Sequence, residues 1–208
     1  MDEAGRGPVI GPLVVACVVL DEEGLAALRG LVRDSKSLTA GARLRLYSLI
    51  QRVAVEVGIR RVDPEEVDEA VAHLERGLNE LEAMVTAQLV GGLRVAVSRV
   101  YVDSPDPRPG RYAEIVRRHL PASRRDVEVV AANRAESIFP HVAAASVVAK
   151  VERDRAVEEL KRVYGDFGSG YPSDPKTRRF LAEALRRGEI PPIVRRSWRT
   201  LRGLMEQG

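Results

Sequence analysis

Four acidic residues stand out because each lies at the predicted end of a structural element, in an otherwise apolar stretch. Asp2 and Glu3 adjoin a glycine-rich turn, Asp103 ends the short strand VYVD, and Glu136 directly precedes a long helix. Strand ends and helix starts are where a rigid scaffold presents catalytic groups. Carboxylates that converge on one site repel one another unless cations lie between them. These four acids are therefore candidates for one shared acidic site.

Such a site would suit a hard divalent cation. Oxygen ligands without a nearby cluster of His or Cys favour Mg²⁺ or Mn²⁺ over zinc, and the three histidines of the chain lack metal-ligand spacing. Two such ions about 3.5–4 Å apart can activate a water and stabilise the departing 3′-oxygen when a phosphodiester is hydrolysed. The spacing alone leaves an alternative open, because an acidic pair near a chain start is often solvated and an acid at a strand end is often a cap.

Strands and helices alternate along the chain that must position these residues. The apolar, β-branched run LVVACVVL over 13–20 predicts a buried strand, and shorter apolar stretches predict strands at 53–62, 100–103 and 127–131. Helical periodicity predicts helices after Thr39, from Pro64, over 78–90 and 111–120, and from Pro140 to about Tyr164. Asp174 can cap a further helix, and a basic helix is predicted after Pro192. The pattern predicts an α/β fold with a mixed central sheet flanked by helices.

Length and composition are compatible with one sizeable core, or with one α/β domain and a small appendage. The chain has 208 residues, of which 30% are charged and 45% hydrophobic, as in globular proteins of ordinary composition. We expect a catalytic domain over residues 1–165 and a helical appendage over 166–208. The one cysteine, Cys17, excludes a disulfide framework and favours a reducing compartment. With no signal-peptide pattern and no apolar stretch long enough for a membrane span, we expect a cytoplasmic protein, by default a monomer.

Charge is unevenly distributed. Residues 63–82 hold eight acids and one arginine, whereas 176–208 hold nine bases and three acids. A basic C-terminal third suits a polyanionic partner, although a solvated helix face would give the same pattern. We expect Arg195, Arg196, Arg199 and Arg202 to grip a nucleic-acid backbone and Trp198 to pack. The acidic region is expected to face away from the nucleic acid.

Five motifs, in order, resemble the type 2 ribonucleases H, the ribonuclease HII family, in its archaeal form. They are DEAGRGPVIGPLVVA at 2–16, DSKSLT at 34–39, YVDSPD at 101–106, AAASVVAKVERDR at 143–155 and GSGYPSDP at 168–175. The resemblance covers essentially the whole chain. It implies an RNase H-like fold with a helical C-terminal region, and an endoribonuclease that acts on RNA–DNA hybrids and on ribonucleotide-containing duplex DNA. Such enzymes cut on the 5′ side of a ribonucleotide, leave 3′-hydroxyl and 5′-phosphate ends, and require Mg²⁺ or Mn²⁺.

The resemblance also implies roles for the four acids. Asp2, Glu3, Asp103 and Glu136 correspond to the catalytic, metal-binding residues of the family. The fourth acid of the family is usually an aspartate, whereas this chain has Glu136. The extra methylene moves the carboxylate by roughly an ångström, a scale that matters for catalysis.

Further residues are implied in substrate binding. Gly5, Arg6 and Gly7 form the turn that, with Tyr171, senses the RNA-to-DNA junction in the family. Glycines let the backbone approach a ligand closely, so that exposed N–H and C=O groups can bond a 2′-hydroxyl. Lys36, Ser146 and Lys150 are predicted phosphate contacts.

The chain departs from the family at its start, where several apolar residues normally precede the acidic pair. Met1 directly precedes Asp2 here, so we expect the α-ammonium to lower the pKa of the Asp2 carboxyl and to compete with the metal. We expect restored upstream residues to improve stability or activity. Two alternatives to the active ribonuclease are kept: a catalytically weakened or non-catalytic hybrid-binding protein, and an RNase H-like DNA nuclease that would cut all-DNA substrates.

Overall fold

The structure is a computed structural model that describes residues 1–32 and 38–205, apart from the side chains of residues 202, 204 and 205. Lys36 and most of the DSKSLT motif lie outside the described residues. The strands of the described chain are β1 (Asp2–Ala4), β2 (Leu13–Val19), β3 (Glu56–Val62), β4 (Arg99–Asp103) and β5 (Glu128–Ala132). Its α-helices are α1 (Glu22–Leu28), α2 (Ala40–Val53), α3 (Pro64–His73), α4 (Leu78–Gly92), α5 (Pro109–His119), α6 (Pro140–Tyr164), α7 (Pro175–Arg187) and α8 (Arg199–Met205).

The strands form a mixed sheet. Strands β1, β2 and β3 pair antiparallel, and β4 and β5 pair parallel. Met1 joins the two parts, because its N–H group donates to the carbonyl of Tyr101 at 2.8 Å and its carbonyl accepts from the N–H of Asp103 at 3.2 Å. This bonding pattern is that of parallel neighbours, so the order across the sheet is β3-β2-β1-β4-β5. It places the acidic pair of β1 beside the acid that ends β4.

Both faces of the sheet are covered, which explains the unbroken apolar run of β2. Leu13, Val15 and Cys17 point to the face packed by α3, α4 and α5, whereas Ala16 and Val18 point to the face packed by α1, α2 and α6. This alternation follows from the two-residue period of a strand. The mixed α/β architecture predicted from the sequence is confirmed.

The C-terminal region packs against the start of the chain as well as on itself. Phe167, Leu181 and Leu201 are buried in one cluster with Val9 and Ile10. The predicted division at residue 165 stays a prediction, since these residues share a core. No helix in the described ranges combines the length and the apolar character needed to cross a membrane.

One predicted boundary was wrong by three residues. The strand predicted from residue 53 starts at Glu56, because α2 continues to Val53. The basic helix predicted after Pro192 is α8, which starts at Arg199. The segment before it consists of turns on either side of one β-bridge, in which Val194 pairs with Ile10, and the N–H of Arg195 donates to the carbonyl of Val9 at 2.8 Å.

Candidate active site

Three of the four predicted acids meet at the centre of the sheet. One carboxylate oxygen each from Asp2, Glu3 and Asp103 lies within 4.8 Å of the others. Asp2 is buried, while Glu3 and Asp103 are half-buried. The parallel pairing of Met1 with β4 brings these acids together although a hundred residues separate them in the chain. Three hard oxygen donors that converge from two strands form a set suited to a divalent cation.

Neighbouring groups hold these carboxylates in place. The Asp103 Oδ1 atom accepts the N–H of Ala135 at 2.7 Å, and the Asp2 Oδ1 atom accepts the N–H of Glu3 at 2.8 Å. The hydroxyl of Ser146, on α6, donates to Asp2. Ser146 was predicted as a phosphate contact, and the structure places its hydroxyl on the acidic cluster. Its role as a phosphate contact stays a prediction.

Burial and mutual repulsion make the charged form of this cluster unfavourable. The pKa of Asp2 is raised to about 6, mainly by burial and also by the nearby Asp103, against the hydrogen bond from Ser146. Burial also raises the pKa of Glu3 well above its ordinary value, with contributions from Glu82 and Asp2. The α-ammonium of Met1 lowers the pKa of Asp2, as expected, but burial outweighs this contribution and the net shift is upward. A cation among these oxygens would offset the free-energy cost of burying ionised carboxylates side by side. The three residues are therefore suited to bind a divalent metal ion.

The raised pKa values predict how stability depends on pH and metal. Asp2 takes up its proton in the folded state near pH 6 but in the unfolded state near 3.8, so without metal the free energy of unfolding increases as the pH falls from 8 through 6. The full shift of about two pKa units corresponds to roughly 3 kcal/mol, of which only about 1 kcal/mol is gained between pH 8 and pH 5.5. We expect Mn²⁺ or Mg²⁺ to raise the melting temperature strongly at pH 8 and weakly at pH 5.5, where protons already neutralise the site.

Thermal melts at both pH values, with EDTA or with metal, measure this dependence. NaCl of matched ionic strength is the control for general screening. A metal effect of equal size at the two pH values would contradict the predicted linkage, as would a metal-free protein that is less stable at pH 5.5 than at pH 8.

Glu136 lies beside this cluster and outside the 4.8 Å group. It is half-buried in a 3₁₀ turn (Ala135–Ser137) that follows Arg134, whose φ of 56° is left-handed. The same turn donates the Ala135 N–H to Asp103, so its position is coupled to the cluster. On its other side, Glu136 borders a hollow shared with α1. The structure thus places the fourth acid near the site without bringing it into the group.

The glycine-rich turn packs directly against the predicted tyrosine. Gly5 has a φ of +90°, and a Cβ there would lie 2.5 Å from the carbonyl oxygen of Pro12, so only glycine fits. A Cβ on Gly7 would lie 3.4 Å from the ring of Tyr171. The Arg6 guanidinium forms an ion pair with the buried Glu82, which turns this side chain inward. The structure therefore brings Gly5–Gly7 and Tyr171 together, as the sequence predicted.

The loop that carries Tyr171 is well tethered. Asp174, the N-cap of α7, accepts the N–H groups of Ser169 at 2.7 Å and of Lys176 at 2.9 Å. These bonds lower the pKa of Asp174 to about 2. The carbonyl of Gly170 accepts the N–H of Val9 at 2.8 Å. The Tyr171 ring is 43% exposed, so a tethered loop presents an open aromatic surface next to the glycine turn.

The remaining predicted contacts lie on or near α6. Lys150 is half-buried one turn after Ser146, on the same face of the helix. Arg153 follows on that face, with its guanidinium carbon 5.5 Å from the centre of the Tyr171 ring. A row of side chains thus runs along α6 from the acidic cluster to the tyrosine. Lys36 lies outside the described residues.

Sequence reasoning missed Glu82 and misplaced Arg195. Glu82 belongs to the acidic region expected to face away from nucleic acid, yet it is 1% exposed, next to Glu3, and burial raises its pKa to about 7. Arg195 was expected to grip a nucleic-acid backbone, yet it is completely buried. Each stands in a charged run, and no local signal distinguishes it from its exposed neighbours.

Comparisons with known proteins agree on one family. The model of the ribonuclease HII family matches residues 1–201. Ribonuclease HII of Thermofilum pendens is 49% identical over 213 residues, covering 98% of this chain and 97% of that protein. Ribonuclease HII of Pyrococcus horikoshii is 43% identical over 209 residues, covering 100% of this chain and 92% of that protein.

Solved structures are similar over the same extent. The crystal structure of ribonuclease H2 from Pyrococcus horikoshii OT3 has a TM-score of 0.89 at 43% identity and covers 99% of this chain and 95% of that one. The ribonuclease HII in the PCNA complex from Archaeoglobus fulgidus has a TM-score of 0.85 at 42% identity, covering 98% and 94%. Bst-RNase HIII, at 21% identity and a TM-score of 0.80, shares the fold.

Proposed function

Since this chain belongs to the ribonuclease HII family, we propose that it cuts on the 5′ side of single ribonucleotides embedded in duplex DNA, besides hydrolysing the RNA strand of RNA–DNA hybrids. Membership makes it an endoribonuclease, a type 2 ribonuclease H with an RNase H-like fold. The position of the cut and the 3′-hydroxyl and 5′-phosphate products are the proposed part. The observation that carries the proposal is an acidic cluster next to a glycine turn that packs on an exposed tyrosine.

The family depends on divalent metal, and we assign Mg²⁺ or Mn²⁺ to Asp2, Glu3 and Asp103, with Glu136 as a fourth acid. A bound divalent cation supplies Lewis-acid stabilisation of the phosphate and makes water a better nucleophile. The chain provides the orientation: Ser146 fixes the Asp2 carboxylate, and the Ala135 N–H fixes that of Asp103.

Recognition of the ribonucleotide is assigned to Gly5–Gly7 and Tyr171. The glycines let the backbone reach a 2′-hydroxyl. A sugar that packs on the flat Tyr171 ring has no room for a second 2′-hydroxyl, which gives preference for a junction on steric grounds. Lys150 is proposed as a phosphate contact on the face of α6 that connects the two parts of the site, and Lys36 as another. We further propose that the protein acts as a monomer in the cytoplasm, in DNA replication and ribonucleotide excision repair.

Cleavage of a DNA duplex that contains one ribonucleotide tests the proposal. The duplex is incubated with Mg²⁺, Mn²⁺ or EDTA, beside an RNA–DNA hybrid and an all-DNA duplex. We expect metal-dependent cutting 5′ to the ribonucleotide and no cutting of all-DNA. Cleavage of all-DNA would identify a DNA nuclease, and tight binding without metal-dependent cleavage would identify a hybrid-binding protein.

The role of Glu136 gives a separate prediction. Glu136→Gln removes the charge of the fourth acid, so we expect kcat to fall by about 10²-fold or more with a smaller change in KM. Glu136→Asp restores the family's usual residue and should retain most of the activity. Glu22→Gln is the matched control, because Glu22 is exposed and borders the same hollow. Equal activity of Glu136→Gln and Glu22→Gln would exclude Glu136 from the site.

A further inference from the structure

Arg195 is the largest fully buried side chain of the described chain, and its donors serve the glycine turn. The Nη2 atom donates to the carbonyl of Gly5 at 2.6 Å, Nη1 to that of Arg6 at 3.1 Å, and Nε to that of Gly11 at 3.1 Å. Burial lowers the pKa of Arg195 to about 10, so it stays charged at neutral pH. Desolvating a guanidinium is costly, and these three charge-assisted bonds offset that cost.

Trp198 completes the contact with the turn. Its Nε1–H group donates to the carbonyl of Gly7 at 3.0 Å, and the Arg195 guanidinium carbon lies 4.8 Å from the centre of its ring. The carbonyls of three consecutive residues, Gly5, Arg6 and Gly7, are therefore all held by one short segment, residues 195–198.

The direction of these carbonyls sets the direction of the N–H groups of the turn. In a trans peptide, the carbonyl of one residue and the N–H of the next point in opposite directions. The bonds to the carbonyls of Gly5 and Arg6 therefore turn the N–H groups of Arg6 and Gly7 away from Arg195. These N–H groups are the donors that a turn of this kind can offer to a 2′-hydroxyl or a phosphate.

The segment that holds the turn is itself anchored. Asp68, on α3, accepts the N–H of Arg196 at 2.6 Å and both the N–H and the hydroxyl of Ser197 at 2.9 and 2.5 Å. Hydrogen-bonded support of this kind restricts the conformations of the residues around a site. The acidic region thus contributes a carboxylate that fixes the recognition turn through the C-terminal segment.

We propose that Arg195 is a positioning residue for substrate recognition, which holds the Gly5–Gly7 turn with its N–H groups directed at the ribonucleotide, with Trp198 as its partner. The inference rests on the proposed function, because the proposed function assigns the Gly5–Gly7 turn to recognition of the ribonucleotide. It moves Arg195 from a general grip on the nucleic-acid backbone to the selectivity of the site.

The test compares affinities for two duplexes in EDTA, where no cleavage occurs. One duplex contains a single ribonucleotide and the other is all DNA, and the ratio of their Kd values is the selectivity. Arg195→Lys keeps the charge but cannot place three donors in a rigid fork, so we expect the selectivity to fall by about 10-fold or more. Trp198→Phe keeps the ring and removes one donor, so we expect a fall of about 3- to 10-fold.

Control measurements separate positioning from general damage. The Mn²⁺-induced rise in melting temperature reports the acidic cluster, and we expect it to be unchanged in both variants. Arg52→Lys, at an exposed arginine of α2 outside the site, should leave the selectivity unchanged. If Arg195→Lys does not fold, Trp198→Phe decides the question.

Two results would overturn the inference. One is unaltered selectivity in the folded variants, and the other is a loss of the Mn²⁺ effect in proportion to the loss of selectivity. A wild-type protein that neither selects nor cuts the ribonucleotide duplex would instead refute the proposed function. The two failures are therefore distinguishable.

Discussion

We expect Asp103→Asn to lower kcat on a duplex containing one ribonucleotide by about 10³-fold or more, while the metal-free protein becomes more stable. Asp103 shares the acidic cluster with Asp2 and Glu3, so the substitution removes a metal ligand and, with it, a repulsive charge. Asparagine retains an Oδ1 atom that can accept the N–H of Ala135. The local fold should therefore persist.

The stability gain follows from the raised pKa values of the neighbours. Asp103 contributes to the raised pKa of both Asp2 and Glu3, so neutralising it makes their ionised forms less costly. We expect a gain of roughly 1 kcal/mol at pH 8 in EDTA, which corresponds to a rise in melting temperature of about 2–4 °C. Metal should then raise the melting temperature less than in the wild type.

Single-turnover cleavage with Mg²⁺ and thermal melts in EDTA measure the two effects. Asp126→Asn is the matched control, because it makes the same change at an exposed aspartate outside the cluster and should alter neither quantity. A variant that keeps a tenth of the wild-type rate would exclude Asp103 as an essential ligand. A loss of stability in EDTA would contradict the prediction. It would show that the stabilising contacts of the Asp103 carboxylate outweigh its repulsion of Asp2 and Glu3.

The second large effect is expected for Gly5→Ala. The φ of +90° is unfavourable for alanine, and the added Cβ would lie 2.5 Å from the carbonyl oxygen of Pro12. A backbone atom cannot rotate away as a flexible side chain can, so the turn has to move. We expect a loss of about 2–4 kcal/mol in the free energy of unfolding and a fall in kcat/KM of about 10²-fold or more.

Gly165→Ala separates the two causes. Gly165 has a φ of +83°, and a Cβ there would meet nothing within 4 Å among the described atoms, so this variant has the backbone penalty without the collision. We expect a loss of about 1 kcal/mol and normal activity. Urea unfolding and cleavage kinetics on both variants provide the comparison. Similar losses in the two would mean that the close approach to Pro12 has no role in the site.

Some parts of this site could be predicted from short stretches of sequence. The run over β2 alternates between two buried faces, and its β-branched composition and apolar continuity are enough to predict a buried strand. Asp2 and Glu3 beside a glycine turn, Asp103 at the end of β4 and Tyr171 in its glycine-rich loop were identified from motifs in a fixed order. The turn needs glycine at Gly5 because the φ angle there is positive, and such a local backbone conformation involves only a few consecutive residues.

Other parts depended on which segments meet. Glu82 and Arg195 stand in charged runs that are typical of solvated surface, and only the packed structure buries them, one beside Glu3 and Arg6 and the other under the glycine turn. Whether a charged side chain is exposed or buried depends on partners far along the chain, and neither composition nor periodicity carries that information. The pKa of Asp2 also depends on distant parts of the chain. Burial by surrounding elements raises this pKa more than the adjacent α-ammonium lowers it.

Residue types and local patterns are enough to predict the chemistry available to this protein: hard oxygen ligands, a backbone turn that only glycine permits, and the α/β pattern that carries them. How these parts are held depends on the packed fold: Ser146 contacts Asp2, Arg195 and Trp198 hold the turn, and Asp68 holds the segment that bears them. The two kinds of information differ in their range along the chain. Backbone propensity and side-chain chemistry are local, whereas desolvation and hydrogen bonds to distant carbonyls exist only once the chain has folded.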